Sequence, residues 1–268
     1  MKLPFSKYQG CGNDFILIDN RSLFFPVNNL QFIQHLCQRD KGIGADGVVL
    51  LENDSEADFR MRIFNADGNE AEMCGNGIRC LMKFIQELGF KQNKYKIATL
   101  LRPLTVEIDG DLVSVEMGVP LEMKWDIPLN IDGIPYIVHY INTGVPHVIL
   151  FVQYLQNINL NQLGPKFRHH PLFGPKGANF NIAHVLPTGE IWNRTYERGV
   201  ETETRACGTG CTAVAIAANK IKNLQPPIKV RTLSLDVLEI NFKLVDGLPC
   251  DTVMKGPATK VFQGESYF

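Results

Sequence analysis

Apolar positions in this chain fall mostly into short runs or strict alternations with polar ones, the two patterns that strands produce. The clearest case is 106–117, where Val106, Ile108, Leu112, Val113 and Val115 are set between polar residues on either side of Asp109-Gly110, a hairpin signal. Further strands are expected at 15–19, 48–51, 59–64, 136–140, 148–152, 180–186, 228–233 and 237–243, with Pro187-Thr188-Gly189 as a turn. Three segments read as helices. Ile78, Leu81, Met82, Ile85 and Leu88 keep the 3.6-residue period, and Gly89 supplies a stop. Residues 212–218 are apolar on every side, so that helix is expected to be wholly buried. A surface helix is expected over 29–39, with Phe32, Ile33 and Leu36 inward.

The pattern also repeats. Cys74-Gly75-Asn76-Gly77 and Cys207-Gly208-Thr209-Gly210 each open an apolar helical run. Asn13-Asp14-Phe15 and Val145-Pro146-His147 precede them at matching distances, and so do Arg62-Ile63-Phe64-Asn65 and Arg194-Thr195-Tyr196-Glu197, so an offset of about 132 residues holds across three segments. The expected fold class is α+β: two pseudo-symmetric, duplicated domains, each a curved, mostly antiparallel, barrel-like sheet around a central helix, with an active site at the domain interface where the two helix N-termini meet. Gly118-Val119-Pro120 breaks the hairpin pattern and sets the expected domains at 1–118 and 119–259, with the last strand, about 260–268, as a candidate to return to the first.

Composition narrows the class. The chain has 268 residues, 45% apolar and 21% charged, with a net charge of −1, which gives no electrostatic case for nucleic acid or a membrane surface. Residues 1–8 carry no signal-peptide pattern, and no later apolar run approaches the ~18 residues a membrane span needs. A cytoplasmic location is expected. Seven cysteines at low density suit reduced thiols better than a disulfide framework.

The chemistry therefore centres on Cys74 and Cys207. A thiol followed by Gly-x-Gly at a helix start lies beside unpaired N–H groups and a positive dipole end, which favours thiolate and binds anions. Gly at these positions also lets a ligand carboxylate approach the backbone closely. Two such sites suggest two sulfurs facing one small anionic substrate. Gly42-Ile43-Gly44-Ala45-Asp46-Gly47 matches a dinucleotide-binding pattern, but it follows a helix and leads into a strand, the reverse of what that motif needs, so it reads as a turn. A zinc site is disfavoured, because Cys74 and Cys80, with Cys207 and Cys211, lack knuckle spacing. Cys11, Cys37, Cys80, Cys211 and Cys250 read as small buried residues. Asn13, Asn65, Asn179, Glu197 and Arg198 form a candidate recognition set. His147 could modulate a thiol or be structural, and His169 and His170 read as exposed and idle.

Taken together, Asn13-Asp14-Phe15, Asn65-Ala66-Asp67-Gly68, Cys74-Gly75-Asn76-Gly77, Tyr196-Glu197-Arg198-Gly199, Ala206-Cys207-Gly208-Thr209-Gly210 and Gly256-Pro257-Ala258 make the chain similar to the diaminopimelate epimerase family over nearly its whole length. The resemblance implies a cofactor-independent isomerase that interconverts LL- and meso-diaminopimelate on the route to lysine and peptidoglycan. It implies that Cys74 removes the α-proton of the LL isomer and Cys207 returns one. Gly75, Asn76, Gly208 and Thr209 then hold the reacting carboxylate, and Asn13, Asn65, Asn179, Glu197 and Arg198 hold the rest of the substrate. By the same resemblance His147 and Glu197 tune the cysteines, and Phe262 sits at the contact of a homodimer. Val145 stands where many members have Asn, and it cannot make that residue's hydrogen bonds. Another cofactor-independent racemase, of proline, glutamate or histidine type, is the alternative within enzymes. Outside enzymes, the alternative is a thiol-containing binding module or a zinc-dependent structural one.

Overall fold

The computed structural model describes residues 2–267. In chain order the elements are β1 (Lys2–Gly10), β2 (Asn13–Asp19), α1 (Leu30–Cys37), β3 (Gly47–Glu52), β4 (Phe59–Asn65), β5 (Glu70–Ala71), α2 (Gly75–Glu87), β6 (Lys94–Ala98), β7 (Leu104–Asp109) and β8 (Leu112–Glu116). They continue with β9 (Glu122–Ile131), β10 (Ile134–Asn142), β11 (Pro146–Phe151), α3 (Leu160–Arg168), β12 (Asn179–Val185), β13 (Ile191–Glu197), β14 (Thr202–Thr204), α4 (Gly208–Lys222), β15 (Ile228–Arg231), β16 (Val237–Val245), β17 (Leu248–Pro257) and β18 (Thr259–Tyr267). The chain divides into two compact units, Met1–Glu116 with Gly256–Phe268, and Met117–Lys255. Among the described residues no helix is long and apolar enough to cross a membrane.

The first unit is a sheet in the order β18, β1, β2, β3, β4, β6, β7, β8. The second runs β9, β10, β11, β12, β13, β15, β16, β17. Each has two parallel steps, at β2–β3 and β4–β6 in one and at β11–β12 and β13–β15 in the other, and every other step is antiparallel. The short β5 and β14 pair with β4 and β13 at matching places. The duplication read from three sequence segments is thus a duplication of the entire pairing scheme. Among the described residues no pairing joins β18 to β8, so the first sheet is the expected curved, barrel-like one, wrapped around its helix without closing.

Each sheet wraps a helix. α2 lies against β1, β2, β3, β4, β7, β8 and β18, and α4 against β10, β11, β12, β13, β15 and β16. Ile78, Leu81, Met82 and Ile85 of α2 are fully buried, each contributing about 1.5–3 kcal/mol over exposure. In α4 every residue from Gly208 to Ala218 is buried, and its small alanines let the strands approach closely. The outer faces of β2 and β3 are covered by Ile33 and Leu36 of α1, so these strands are apolar on both sides and read as continuous runs. In the second unit α3 covers the outer face through Leu160 and Phe167.

Several elements depart from the sequence reading. Gly164 and Pro165 argue against a helix at α3, yet Asn159 caps it and Gly164 packs where any Cβ would stand 2.4 Å from the Tyr196 ring. β13 escapes the alternation rule because Asn193 and Thr195 point inward and are buried. The β7–β8 loop is Gly110-Asp111, one residue later than expected, since Asp109 still pairs with Leu112. Phe32 is only half-buried. Cys250 is half-buried rather than core, and the His170 side chain caps a turn by accepting from the Leu172 N–H.

The repeat extends to an ion pair. Arg62 on β4 grips Glu70 on β5 through two bonds of 2.8 and 2.7 Å, and Arg194 on β13 grips Glu203 on β14 through two of 2.6 and 2.8 Å. Arg194 also donates to the Leu155 and Ile158 carbonyls at 2.8 and 2.9 Å. Its removal leaves a largely buried carboxylate and two carbonyls without donors. Arg194→Ala is therefore expected to cost ~2–4 kcal/mol. Arg62→Ala, at a more open pair, should cost about 1 kcal/mol or less. Urea denaturation of both variants checks this, and equal losses would contradict it.

Candidate active site

Each candidate cysteine is the N-cap of its unit's enclosed helix, in extended backbone conformation. The Gly two residues into each helix is required by space. A Cβ on Gly77 would stand 3.0 Å from Ile63, and one on Gly210 2.6 Å from Asn181 Oδ1 and 3.3 Å from Cys207 Sγ. The first-turn N–H groups, which have no carbonyl earlier in the helix to bond, start beside the sulfur.

In the first unit Cys74 is half-buried, and its sulfur accepts from the Gly77 N–H at 3.4 Å. Asn76, buried in the first turn of α2, donates through Nδ2 to Asn13 Oδ1 at 2.6 Å. Two charged residues that sequence reasoning missed anchor this amide pair. Arg79 is fully buried and donates to Asn76 Oδ1 at 2.8 Å, to the Gly75 carbonyl at 3.0 Å and to Cys11 Sγ at 3.2 Å. Asp46 accepts from Asn13 Nδ2 at 3.1 Å. A cation on one amide oxygen and an anion on the other amide nitrogen fix which way both amides face.

Asp46 belongs to the glycine motif at 42–47, which is a turn between α1 and β3, as its context implied. The turn's work is to hold Asp46. Arg39 bridges Asp46 and Asp14 at 2.8 and 2.7 Å, and Lys7 pairs with Asp14 at 2.8 Å. Burial pushes the Asp14 carboxyl up, but the bonds from Arg39 and Lys7 outweigh it and lower it to about 2. Cys11 is accordingly more than a space-filler. Arg79 had a readable signal, a charge inside an otherwise apolar helical stripe. Asn65, at the end of β4, is exposed, and its N–H and carbonyl serve the turn through Asn69 and Gly68.

The second unit builds its half differently. Cys207 is buried, with its sulfur 3.4 Å from Thr209 Oγ1. Burial pushes this thiol well above its usual range, the Glu197 carboxylate adds to the rise, and the Thr209 hydroxyl pulls the other way. Against the expectation that the helix start favours thiolate, loss of water here outweighs the bonds from the Thr209 hydroxyl and the Gly210 N–H. Glu197 itself, at the end of β13, is raised by burial. His147 on β11 is fully buried, with Nε2 3.0 Å from Thr209 Oγ1 and Nδ1 3.1 Å from Asn181 Nδ2. Burial, helped by the Arg198 cation, lowers its pKa to about 3, so the ring is neutral at pH 7. Asn179 is buried and accepts the Arg198 N–H at 2.7 Å, which orders the turn carrying that half-buried side chain. The Thr143 hydroxyl donates to the Thr209 carbonyl at 3.2 Å, and Val145 is half-buried just before β11.

The structure thus groups Asn13, Cys74, Gly75 and Asn76 at one helix start, and His147, Cys207, Gly208 and Thr209 at the other, with Asn179, Glu197 and Arg198 near the second. Phe262 lies apart, on β18, edge-on to Phe5 at 5.9 Å. Asn181 and Thr195 were missed, although Asn179 and Asn181 share one face of β12 by strand period. Among the described residues no group of three or more His, Cys, Asp and Glu side chains could hold a metal.

Comparison with known proteins agrees with this layout. The solved Bacillus anthracis phenazine biosynthesis protein of the PhzF family superposes with a TM-score of 0.77 at 14% identity, covering 100% of both chains. A probable proline racemase from Agrobacterium radiobacter superposes at 0.72 and 14% identity, over 99% of this chain and 93% of its own. These likenesses carry the fold. The diaminopimelate epimerase of Flavobacterium psychrophilum is 41% identical over 96% of this chain and 97% of its own, and that of Aquifex aeolicus 39% identical over 98% and 97%. The diaminopimelate epimerase family profile matches residues 5–122 and 139–261, one block in each copy of the repeat. With both cysteine motifs inside those blocks, and relatives of this identity along nearly the full chain, the protein belongs to the diaminopimelate epimerase family.

Proposed function

We propose that this chain interconverts LL- and meso-diaminopimelate by passing an α-proton between the sulfurs of Cys74 and Cys207, without pyridoxal phosphate or metal. The observation that carries the reading is kinship along both copies of the repeat, each with its Cys-Gly-x-Gly at the start of an enclosed helix. Inverting a carbon needs a base on one face and an acid on the other. The Gly77 N–H on Cys74 favours an anionic sulfur, suited to removing a proton from the LL isomer. Burial and Glu197 keep Cys207 protonated, suited to delivering one. First-turn N–H groups of α2 and α4, with Asn76 and Thr209, hold the α-carboxylate and stabilise charge as the proton leaves. Asn13, Asn65, Asn179, Glu197 and Arg198 take the distal amino-acid group. His147, neutral and buried, acts on Cys207 only through its surroundings.

The reading extends to assembly and place. All seven cysteines are free thiols, which suits the reducing cytoplasm. On β18, Val261, Phe262 and Tyr267 are exposed apolar residues, and they are the proposed homodimer contact. Phe262→Glu should shift the protein toward monomer in sedimentation, and an unchanged species would remove Phe262 from the interface.

Proton NMR of LL-diaminopimelate with the protein in D2O should show loss of the α-hydrogen and growth of the meso isomer, in the presence of a chelator. Cys74→Ala and Cys207→Ala should each abolish epimerisation with little loss of stability. Full activity in either variant would end the two-cysteine account.

Specificity rests on Arg198. If it pairs with the distal carboxylate, Arg198→Ala lowers kcat/KM by about two orders of magnitude or more. Val145→Asn should change it by about tenfold at most, the worth of one hydrogen bond. Faster racemisation of a mono-amino acid by the wild type, with Arg198→Ala nearly silent, would favour the proline-, glutamate- or histidine-type racemase instead.

A further inference from the structure

We infer that Asn181 is a positioning residue for Cys207: it locks His147 as the Nε2–H tautomer and so turns the Thr209 hydroxyl proton toward the Cys207 sulfur. The inference rests on the reading of Cys207 as an acid/base group.

One carbonyl sets the direction of the chain. The Val148 carbonyl can only accept and lies 3.2 Å from Asn181 Nδ2, which settles that this end of the amide is nitrogen and the other oxygen. The Thr195 hydroxyl therefore gives its proton to Asn181 Oδ1, 2.8 Å away, and Asn193 Nδ2 lies 3.3 Å from the same hydroxyl. Asn181 Nδ2 also points at His147 Nδ1 at 3.1 Å, so that ring nitrogen carries no proton. A neutral imidazole with a bare Nδ1 holds its hydrogen on Nε2, which faces Thr209 Oγ1 at 3.0 Å. The threonine oxygen accepts there, and its single O–H is left for Cys207 Sγ at 3.4 Å. Asn193, Thr195 and Asn181 come from adjacent strands β13 and β12, His147 from β11, and Thr209 from the first turn of α4. The relay therefore runs across the sheet face that α4 covers.

Two consequences follow at the sulfur. A hydroxyl donated to sulfur stabilises its anionic form against burial and against Glu197. When Cys207 is protonated, its S–H is not taken by Thr209 and stays available for transfer. The charged groups facing this pair are Glu197 of β13 beside Cys207 and Arg198 beside His147, with the Cys211 thiol next along α4. None of them supplies the relay.

The test uses the full-length protein. The 15N resonances of the His147 ring at pH 7 should show a protonated Nε2 and a bare Nδ1, and a protonated Nδ1 would overturn the inference. In Asn181→Ala, alkylation of Cys207 by iodoacetamide, followed by peptide mass spectrometry, should move to higher pH. At a fixed pH it should slow about tenfold, as loss of a hydrogen bond to a charged group implies. Cys74 in the same molecules should keep its profile, which separates this effect from general loosening. An unmoved Cys207 profile with the fold intact also overturns it. Should Asn181→Ala not fold, Thr209→Val and Thr209→Ser carry the same comparison: the first should shift Cys207 and the second should not, and equal behaviour refutes the relay. A wild type with the Nε2–H tautomer and no activity on diaminopimelate would sink the functional reading and leave this inference standing.

Discussion

A helix enclosed on all sides can offer a ligand only its ends, and its N-terminus is the end that carries unsatisfied donors. Both units are built on that constraint. An eight-stranded sheet curls around α2 or α4 and covers its sides with apolar side chains, and the first turn is where backbone N–H groups have no carbonyl earlier in the helix to bond. A cysteine as N-cap then puts a sulfur beside those donors. Glycine three residues later is required there, because side chains or sulfur already fill the space a Cβ would take.

Enclosure also decides what kind of thiol results. The helix start pulls a cysteine toward thiolate, but withdrawal of water pushes it back, and which effect wins depends on depth. Cys74 is half-buried with an N–H directed at its sulfur, whereas Cys207 is buried beside Glu197. Two copies of one motif thus yield two different sulfurs, an asymmetry suited to a reaction with one group as base and the other as acid.

The surrounding polar residues differ between copies for the same reason. In the first unit, amides at Asn13 and Asn76 are oriented by full charges, Asp46 at one end and Arg79 at the other. Asn181 and Thr195, in the second, orient a neutral histidine through uncharged partners. Either arrangement places polar groups inside a core, where an unsatisfied donor or acceptor costs about 1–3 kcal/mol. Their partners within each unit are therefore part of what makes the site possible. Arg62–Glu70 and Arg194–Glu203 do comparable work one layer out, holding the short hairpins that lead into the cysteines.

The duplication, the two enclosed helices and the two cysteines are legible in the order of residues alone, because each is written in local terms: an offset of about 132 residues, a 3.6-residue apolar period, a Cys-Gly-x-Gly at its start. Strands buried on both faces, such as β2 and β3, were equally plain. Strands β1, β6, β9 and β17 stayed hidden, as did β13, with its inward face polar, and α3, with its helix interrupted. β13 buries Asn193 and Thr195, and α3 contains Gly164 and Pro165, so pattern and propensity pointed away from what packing against Tyr196 and α4 decided. Arg79 and Asn181 left a local trace, a charge in an apolar helical stripe and a strand-period partner of Asn179, but what they do, like what Asp46 and Thr195 do, is not written locally. Their roles depend on partners distant in the chain, as Cys11 is from Arg79 by 68 residues, and on the direction of individual hydrogen bonds, and folding alone brings those partners within about 3 Å. The charge state of Cys207 likewise follows from depth and from Glu197, which no spacing encodes.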